Sequence, residues 1–513
     1  MNLMPWLIAV PLGMGFILPL MPKRSPRISD LLANLATLLL VILSVSLLGK
    51  TAVYRVGGWE ARVGIVLVLD GLSGFMVIIV AAISFAATLF SARYMDRYTA
   101  RPKYYGLFLL MVAGMNGAIL TGDMFNLYVF LEIAAVASYA LVAFGCEHEE
   151  LEASFKYAIL GSVASCFVLL GVALLYATFG TVNMAHLSEK IAVVAPGTPA
   201  YRVSMFTVML FIAGLGMKAA LVPFHAWLPD AHPSAPAPIS AMLSGVLIKA
   251  IGVYALVRVM FNVVNVAEVA PGMLYALMVL GTLSMVVGVF LAVGQWDFKR
   301  LLAYHSISQI GYVMLGIGLG TPLGILGGLF HLANHAAFKS LLFLTAGATE
   351  YRTGTRRLEK MGGLGQKMPV TAGSSLVASM SIAGVPPFNG FFSKLIIILA
   401  CVEAGRYGFA AWAVIVSIMT LASFMKVQKY AFFGRLKEQW VRVREVPFVM
   451  QVSMVLLAIL CLGMSALLLP GPKKAFLDPA ANVLSEGKDY SSTVLTAQTT
   501  GDQIVVSRDM GEK

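Results

Sequence analysis

Charged residues are scarce in this chain of 513 residues, at 12% of the sequence. Soluble domains contain about 25% charged residues, so the deficit argues against a soluble globular protein. Hydrophobic residues make up 59% of the chain, and the mean hydropathy is +0.84. Apolar runs of about 20 residues recur from end to end, which predicts a polytopic membrane protein.

Cysteine is also scarce, with Cys146, Cys166, Cys401 and Cys461 as the full set. They show no CxxC or cluster-binding spacing, which leaves disulfide frameworks, iron–sulfur sites and zinc fingers unsupported. No glycine-rich phosphate loop is present either. The sequence therefore predicts no cofactor, no metal and no redox or catalytic site in this chain, so any enzymatic reaction would belong to partner subunits.

The apolar runs predict about 14 membrane-spanning helices. We expect them near 3–21, 30–49, 69–92, 105–121, 123–144, 156–179, 204–227, 237–260, 271–294, 300–319, 322–348, 370–400, 408–433 and 448–470. The first run has no preceding basic residue and no clear cleavage site, so we expect a retained helix rather than a signal peptide. The residues after 470 are polar, and we expect a mobile tail.

Basic residues are concentrated in alternate loops. One set contains Lys23, Arg24, Arg27, Arg93, Arg97, Arg101, Lys103, Lys299, Arg300, Arg352, Arg356, Arg357, Lys360, Lys367, Arg435, Lys437, Arg442 and Arg444. The other set contains Lys50, Arg55, Arg62, Lys190, Arg202, Arg258 and Arg406. Cytoplasmic loops carry the excess of Lys and Arg, which explains the net charge of +12 without nucleic acid. We expect a cell-membrane protein with both termini outside.

Two lysines, Lys218 and Lys249, lie inside apolar runs. A lysine at bilayer depth costs roughly 2.5–3.5 kcal/mol on insertion scales and usually marks an ion pathway. Five prolines lie between them: Pro223, Pro229, Pro233, Pro236 and Pro238. Prolines free backbone groups that protein or water must satisfy. We therefore predict a broken helix, a turn and a second helix, with both amines facing water.

A second interrupted span carries Pro386 and Pro387, followed by Lys394. Paired interruptions in two halves of a membrane protein are typical of transporters built from inverted repeats. The order of lysine and break is reversed between the two spans. We predict these domains: an N-terminal three-helix segment 1–104, repeats 105–260 and 271–433, a last helix 434–470, and the polar tail 471–513.

Glu132 is a lone carboxylate in the middle of a span. A buried carboxylate takes up a proton or finds a cation, and Lys218 is the natural partner. A structural ion pair that locks two helices is the alternative. Burial weakens proton binding by an amine, so Lys218, Lys249 and Lys394 are candidate proton carriers. Snorkelling to the interface is the alternative for Lys394.

His331, His335 and Lys339 are spaced i, i+4, i+8, which places them on one helix face. Two histidines at this spacing occur in zinc sites, but the glutamate of HExxH is missing and Lys339 would repel a cation. We expect a proton relay instead. A hydrogen-bonded core histidine remains an alternative for one of the two.

Weaker candidates lie near the first break. His225, Asp230 and His232 are expected to form a polar access route or to cap the broken helix, and His305 to lie at a channel mouth. Ser306 beside His305 is the one crude nucleophile–base pair, but adjacent residues on a helix do not face each other. We expect these charged residues at solvated or interfacial positions: Asp70, Asp297, Lys299, Arg300, Glu350 and Glu359.

Four long motifs resemble the antiporter-like, proton-translocating membrane subunits of the complex I superfamily: KAALVPFHAWLPDAHPSAPAPISAMLSG, DFKRLLAYHSISQIGY, HLANHAAFKSLLF and AGVPPFNGFFSK. Two further segments, GDMFNLYVFLEI and KYAILGSVAS with LLYATFGTVNMAHLS, are most similar to the D-type subunits of Mrp cation/proton antiporters and their counterparts in membrane-bound hydrogenases. Complex I antiporter-like subunits are the next most similar group.

The resemblance implies an all-α fold of 14 helices, with two inverted five-helix repeats and discontinuous helices 7 and 12. It implies proton-transfer roles for Glu132, Lys218, Lys249, Lys394 and the pair His331 and His335. It also implies partner membrane subunits and transport of protons, with Na⁺ left open. A self-sufficient solute carrier that binds its substrate at the midplane is the alternative function.

Overall fold

The computed structural model describes residues 3–22, 26–487 and 489–496. Lys23 and Arg24 of the first basic loop and residues 497–513 of the expected tail lie outside them. The helices, numbered in chain order, are α1 Trp6–Ile17, α2 Pro26–Ser46, α3 Gly71–Tyr94, α4 Arg101–Leu120, α5 Met124–Val142, α6 His148–Phe179, α7 Met184–Ala192, α8 Pro199–Lys218, α9 Leu228–Ser234, α10 Ala237–Val263, α11 Pro271–Val293, α12 Phe298–Gly318, α13 Pro322–Thr353, α14 Pro369–Ala383, α15 Asn389–Glu403, α16 Tyr407–Val427, α17 Phe448–Gly463, α18 Asp478–Ser485 and α19 Asp489–Leu495.

Ten helices in the described ranges are long and apolar enough to cross a membrane. The remaining four predicted spans correspond to Trp6–Leu20, α12, α13 and the pair α14–α15, which are shorter or carry more polar side chains. The predicted fold class, an all-α polytopic membrane protein, is therefore confirmed. The helix count is consistent with the prediction of about 14 spans.

The spanning helices run alternately between two faces of the molecule. One, the terminal face, carries α7, α18, α19 and an antiparallel hairpin of strands β1 (Ala52–Arg55) and β2 (Val66–Leu69). The opposite, basic face carries the lysine- and arginine-rich loops, where Asp297 pairs with Arg357 across a β-bridge. Neither the hairpin nor α7 was expected, because both lie in short segments between apolar runs.

Polar side chains at the helix starts explain where many helices begin. The Asp70 side chain accepts a hydrogen bond from the backbone N–H of Ser73 at the start of α3, and the Ser73 hydroxyl accepts one from the backbone N–H of Asp70. Asp123 caps α5 and Asp297 caps α12 in the same way, each accepting an N–H three residues ahead. Such caps satisfy amide groups that have no partner within the helix.

Helices α10 and α13 occupy the centre of the molecule. Every residue of the apolar window of α10 is buried, and so is every residue of α13 from Gly324 to Thr349. A helix that is apolar all round belongs in the interior, with other helices on every side. These two central helices carry Lys249, His331, His335 and Lys339, so the fold itself places those side chains far from water.

Both predicted helix breaks are present. Helix α8 ends at Lys218 and a non-helical turn runs to Trp227, so the span predicted at 204–227 is wrong at its end. The span predicted at 370–400 is divided between α14 and α15 around Pro386 and Pro387. Pro223 lies in the first break, where its missing N–H is not needed by a helix. The division of the chain into repeats and other domains stays a prediction.

The expectation of a mobile polar tail is wrong for its first part. Helices α18 and α19 fold back onto the terminal face and pack against α3, α13 and α7. Their apolar side chains, including Leu484 and Val494, are buried. The Asn262 side chain donates a hydrogen bond of 2.7 Å to the Val483 carbonyl. Burial of apolar area therefore holds this segment in place.

Helices α11 and α12 pack along a seam of glycines. A Cβ atom built on Gly311 would lie 2.4 Å from the Gly281 carbonyl oxygen and 2.5 Å from the Met285 nitrogen. A Cβ on Gly288 would lie 2.6 Å from the Ser308 nitrogen. Small residues let membrane helices approach at backbone distance, which is how such interfaces gain packing energy.

We predict that Gly311→Ala lowers the midpoint of thermal unfolding, because the new methyl group meets backbone atoms that cannot move aside. Overpacking of this kind costs about 1–3 kcal/mol. The measurement is thermal unfolding of the purified protein in detergent. The matched control is Gly373→Ala in α14, where a Cβ meets nothing within 4 Å. Equal midpoints for the two variants would contradict the role of the seam.

Candidate functional site

Glu132, Lys218 and Ser165 form a closed triangle of polar atoms between α5, α6 and α8. The Lys218 Nζ atom lies 3.1 Å from Glu132 Oε1 and 2.9 Å from Ser165 Oγ. The Ser165 hydroxyl also donates to Glu132. Lys218 is 5% exposed, whereas the Glu132 side chain keeps 28% of its surface exposed. The predicted pairing of Glu132 with Lys218 is thus present, and Ser165 is a third member that sequence reasoning missed.

Lys218 is the last residue of α8, at the point where the chain leaves the helix. The C-terminal end of a helix is negatively polarised and favours a cation. The next residue, Ala219, packs against α10, since a Cβ built on Gly252 would lie 2.6 Å from the Ala219 nitrogen. The first break therefore brings Lys218 against the central helix.

Lys249 lies in the π-helical part of α10, Leu243–Tyr254, and is fully buried. Its amine donates a hydrogen bond to the carbonyl of Ser244 in the same helix. Lys249 and Gly252 are three residues apart, about one turn, so Lys249 is close to the level of the first break. Its amine is not exposed at an interface, which argues against snorkelling.

Helix α13 presents its histidines at the level of Lys249. A Cβ on Gly245 would lie 2.1 Å from Ser340 Oγ and 3.5 Å from the Ala336 carbonyl oxygen, which fixes where α10 meets α13. The two helices run in opposite directions. Lys249, one turn after Gly245 on α10, is therefore at the level of residues that precede Ser340 by about one turn on α13, which include His335.

The two histidines have unsatisfied ring nitrogens. Their ring centroids are 6.5 Å apart, and the rings are nearly parallel. His331 Nδ1 lies 2.9 Å from Ser393 Oγ. Within the described part of the chain, His331 Nε2 and both His335 nitrogens have no hydrogen-bond partner. Buried polar atoms of this kind usually bind ordered water, so the neighbourhood is suited to hydration.

Lys394 lies at the second break, in α15. Its amine donates to the carbonyl of Ile382, at 2.8 Å, and to Ser417 Oγ, at 3.3 Å. It also lies 4.8 Å from the centre of the Tyr312 ring, and that ring is 5.4 Å from His331. Lys394 is 3% exposed, so the snorkelling alternative is wrong.

These contacts order the six main candidates into one row across the middle of the molecule. Its order is Glu132, Lys218, Lys249, His335, His331 and Lys394. Each neighbouring pair is joined by a direct contact, by one intervening side chain or by adjoining helix turns. A row of ionisable groups at this depth is typical of ion and proton pathways in membrane proteins.

Three secondary candidates lie between this row and the basic face. Asp230 forms ion pairs with Lys156, at 3.2 Å, and with Arg300, at 3.3 Å. His232 is fully buried, and neither of its ring nitrogens has a partner among the described residues. His225 is only partly buried, at the first break.

The other two secondary candidates, His305 and Lys339, are both fully buried. His305 is fully buried, and its Nε2 atom lies 2.8 Å from Ser423 Oγ, so the prediction of a channel mouth is wrong. The first turn of α12 carries the exposed Arg300, but His305 points into the packed interior. Lys339 is also fully buried, and its amine has no hydrogen-bond partner in the described ranges.

Asp70, Lys299 and Glu350 were expected at solvated or interfacial positions, but each belongs to an ion pair that is largely buried. Lys299 is 2% exposed and lies 2.9 Å from Glu350 near the basic face. Asp70 accepts two hydrogen bonds from Arg258, at 2.7 and 2.9 Å, near the terminal face. Arg258 was assigned to a loop but lies within α10. Asp70 and Arg258 are 188 residues apart, whereas Lys299 and Glu350 lie on the consecutive helices α12 and α13. Single-residue hydropathy reveals neither pair.

A buried row of ionisable groups and two interrupted helices are features typical of membrane proteins that transport ions, and comparison with known proteins gives the family. Residues 121–420 match the family model described as NADH:quinone oxidoreductase/Mrp antiporter, TM. Residues 56–105 match that of the NADH-ubiquinone oxidoreductase (complex I) chain 5 N-terminus. The chain belongs to the NADH:quinone oxidoreductase/Mrp antiporter family.

Two relatives and one solved structure show how far the likeness extends. The N-type subunit of the NADH-quinone oxidoreductase of Desulforudis audaxviator is 38% identical over 86% of this chain and 85% of its own length. The D-type subunit of the Na⁺/H⁺ antiporter of Alkalihalophilus pseudofirmus is 37% identical over 85% and 88%. A chain in the Mrp complex from Dietzia sp. DQ12-45-1b superposes with a TM-score of 0.87, at 30% identity over 96% of this chain and 99% of that one.

We predict that Arg258→Met lowers the midpoint of thermal unfolding strongly, because it leaves the Asp70 carboxylate buried without its partner. Removal of one member of a buried pair costs about 3–5 kcal/mol. The matched control is Arg62→Met, which breaks an exposed pair with Glu189 of 3.2 Å. Exposed pairs contribute about 0–1 kcal/mol. Similar losses in both variants would contradict a structural role for the Asp70–Arg258 pair.

Proposed function

We propose that this chain conducts protons across the membrane as one subunit of a multisubunit complex. Glu132, Lys218, Lys249, the histidine pair and Lys394 form the path in this proposal. The observation that carries it is the succession of these six ionisable groups through the packed interior, from the Glu132–Lys218 pair at one end to Lys394 at the other. Membership of the antiporter family and the names of the relatives support the same conclusion.

The first step of the path is a change in the Glu132–Lys218 pair. A carboxylate close to an amine stabilises the charged form of the amine, and a buried amine without one holds its proton less tightly. Protonation or displacement of Glu132 would therefore release the Lys218 proton towards Lys249. Neutral histidines have one donor and one acceptor nitrogen, so His335 and His331 can pass a proton on towards Lys394.

Protons would reach the row from the basic face. Lys299 and Glu350 lie at that end, and His232 is buried between them and the row. Lys339 lies one turn from His335 on α13. These groups supply a second line of polar atoms from the surface to the row, which bound water would complete.

The charge distribution supports an orientation. The basic face carries the arginine- and lysine-rich loops, so we assign it to the cytoplasm and both termini to the opposite side of the cell membrane. This matches a path that opens to the cytoplasm at Lys299 and Glu350.

The partial exposure of the Glu132 side chain supports the presence of partner subunits. Its side chain is 28% exposed on the outer surface of α5, in the middle of a span. A carboxylate facing lipid there is costly, so an adjoining subunit would cover it and sense its charge. Coupling to Na⁺ antiport in an Mrp-type complex is the preferred assignment. The relative named as an NADH-quinone oxidoreductase subunit favours a redox-driven complex as the second candidate.

We predict that Lys218→Ala reduces proton flux to background, because Glu132 and Lys249 lose the amine that links them. The measurement is pH-sensitive dye quenching in vesicles that contain the assembled complex. The matched control is Lys156→Ala, which removes an exposed amine from α6 that pairs with Glu152 and Asp230. Both variants should retain the subunit composition of the complex. Wild-type flux in Lys218→Ala would refute the path.

We predict that an affinity-tagged chain copurifies with other membrane subunits and that the whole complex exchanges Na⁺ for protons in liposomes. Mass spectrometry of the purified sample identifies the partners. Copurified NADH-oxidising or hydrogenase subunits would select the redox-driven alternative. Full activity of the isolated chain in liposomes would instead support the self-sufficient carrier.

A further inference from the structure

We infer that a groove between α11 and α16 near the terminal face binds an anionic phospholipid, with its phosphate at Arg406. The inference is independent of the proposed proton path. The groove, here the α11–α16 groove, has a volume of about 510 Å³. Its lining includes Thr282, Leu283, Arg406, Tyr407, Phe409 and Trp412. The groove is shallow and largely open at the surface between the two helices, a shape that suits an extended lipid molecule better than a small ligand.

Arg406 supplies the charge that an anionic headgroup needs. It lies in the turn just before α16, is exposed, and forms no ion pair among the described residues, although Glu403 lies in the same turn. Its guanidinium lies 5.6 Å from the centre of the Tyr275 ring, which orients it at the top of the groove. A guanidinium binds phosphate through two parallel hydrogen bonds.

Aromatic side chains define the headgroup level. Tyr407 is 68% exposed and Trp412 is 43% exposed, on the rim of the groove. Tyrosine and tryptophan are enriched where headgroups meet hydrocarbon. Tyr275 and Phe409 pack edge to face, at 6.1 Å between ring centres, and join the two helices behind them. The top of the groove is therefore polar and aromatic, and its lower part is apolar.

Two features of the groove concern its glycines and Thr282. A Cβ atom built on Gly405 or Gly408 meets nothing within 4 Å. The buried Thr282 hydroxyl has no partner in the described part of the chain, although it lines the groove. A threonine hydroxyl in a membrane helix usually bonds to a nearby carbonyl. Because this hydroxyl is itself buried, the polar contacts of the proposed lipid are those of Arg406, Tyr407 and Trp412.

The groove lies directly behind part of the buried row. Tyr312 donates to the carbonyl of Ala413 in α16, next to Trp412, and Ser417 one turn further contacts Lys394. A lipid in the groove would thus press on the helix that positions both groups. This contact separates the site from ordinary lipid contact elsewhere on the surface.

The test compares lipid labelling of four forms of the assembled complex in nanodiscs: wild type, Arg406→Gln, Gly408→Leu and Arg202→Gln. The probes are photoreactive phosphatidylglycerol and photoreactive phosphatidylcholine, each diluted in phosphatidylcholine. Mass spectrometry quantifies labelled peptides from the 405–412 segment. Arg202 is an exposed arginine near the same face but outside the groove, so Arg202→Gln is the matched control.

We expect about fivefold more labelling by phosphatidylglycerol than by phosphatidylcholine in the wild type and in Arg202→Gln, since one arginine near the membrane surface attracts anionic lipid to this extent. Arg406→Gln should abolish the preference, and Gly408→Leu should reduce labelling by both probes because its side chain fills the groove. Equal labelling by both lipids in the wild type overturns the inference. So does an unchanged preference in Arg406→Gln, or labelling blocked by a partner subunit over the groove.

Discussion

The structure depends on the way in which charged amines are stabilised inside hydrocarbon. Lys218 is the last residue of α8 and its amine contacts Glu132 and Ser165, whereas the Lys394 amine donates to the Ile382 carbonyl near the end of α14. An interrupted helix leaves carbonyl groups without partners, and its end is negatively polarised. The Lys394 ammonium group satisfies both needs at the end of α14, whereas backbone N–H groups and the Trp227 indole bind the last carbonyls of α8, where Lys218 gains from the polarised helix end. The breaks therefore stabilise lysines at a depth where an isolated charge would be costly.

The two lysines differ in what else surrounds them. Lys218 has the Glu132 carboxylate at 3.1 Å, whereas the polar partners of Lys394 are neutral: two backbone carbonyls and the Ser417 hydroxyl. One end of the row is thus governed by an ion pair that can open, and the other by fixed dipoles. In the proposed path this difference gives the row a direction, since only the first end responds to a neighbouring charge.

The main features of this site could be predicted from the sequence, because single charges inside apolar runs are conspicuous. Glu132, Lys218 and Lys249 were found in this way, and the prolines marked both breaks. The Asp70–Arg258 pair was missed because its members are 188 residues apart and each lies near a span end. Hydropathy also does not indicate how deeply a histidine side chain is buried. His305 was therefore expected at a channel mouth, although it is fully buried.

The C-terminal segment carries a helical signal that its polar composition hides. Leu477, Ala480 and Leu484 recur at helical spacing and are all buried, but the polar residues between them dominate the pattern. The β-hairpin and α7 are different, since short elements without long apolar runs are beyond what span patterns predict. The backbone contacts that hold them, such as the bridge between Asp123 and Asn183, depend on the assembled helices.

The contact between Gly71 and Pro479 has a consequence for biosynthesis. A Cβ on Gly71 would lie 2.3 Å from the Pro479 carbonyl oxygen, and Tyr490 lies over the Arg258 guanidinium at 5.1 Å. The surroundings of an early helix are thus completed by residues that the ribosome adds much later. Until Tyr490 has been translated, the Asp70–Arg258 pair lacks its cover on one side, so the order of synthesis delays the sealing of that face.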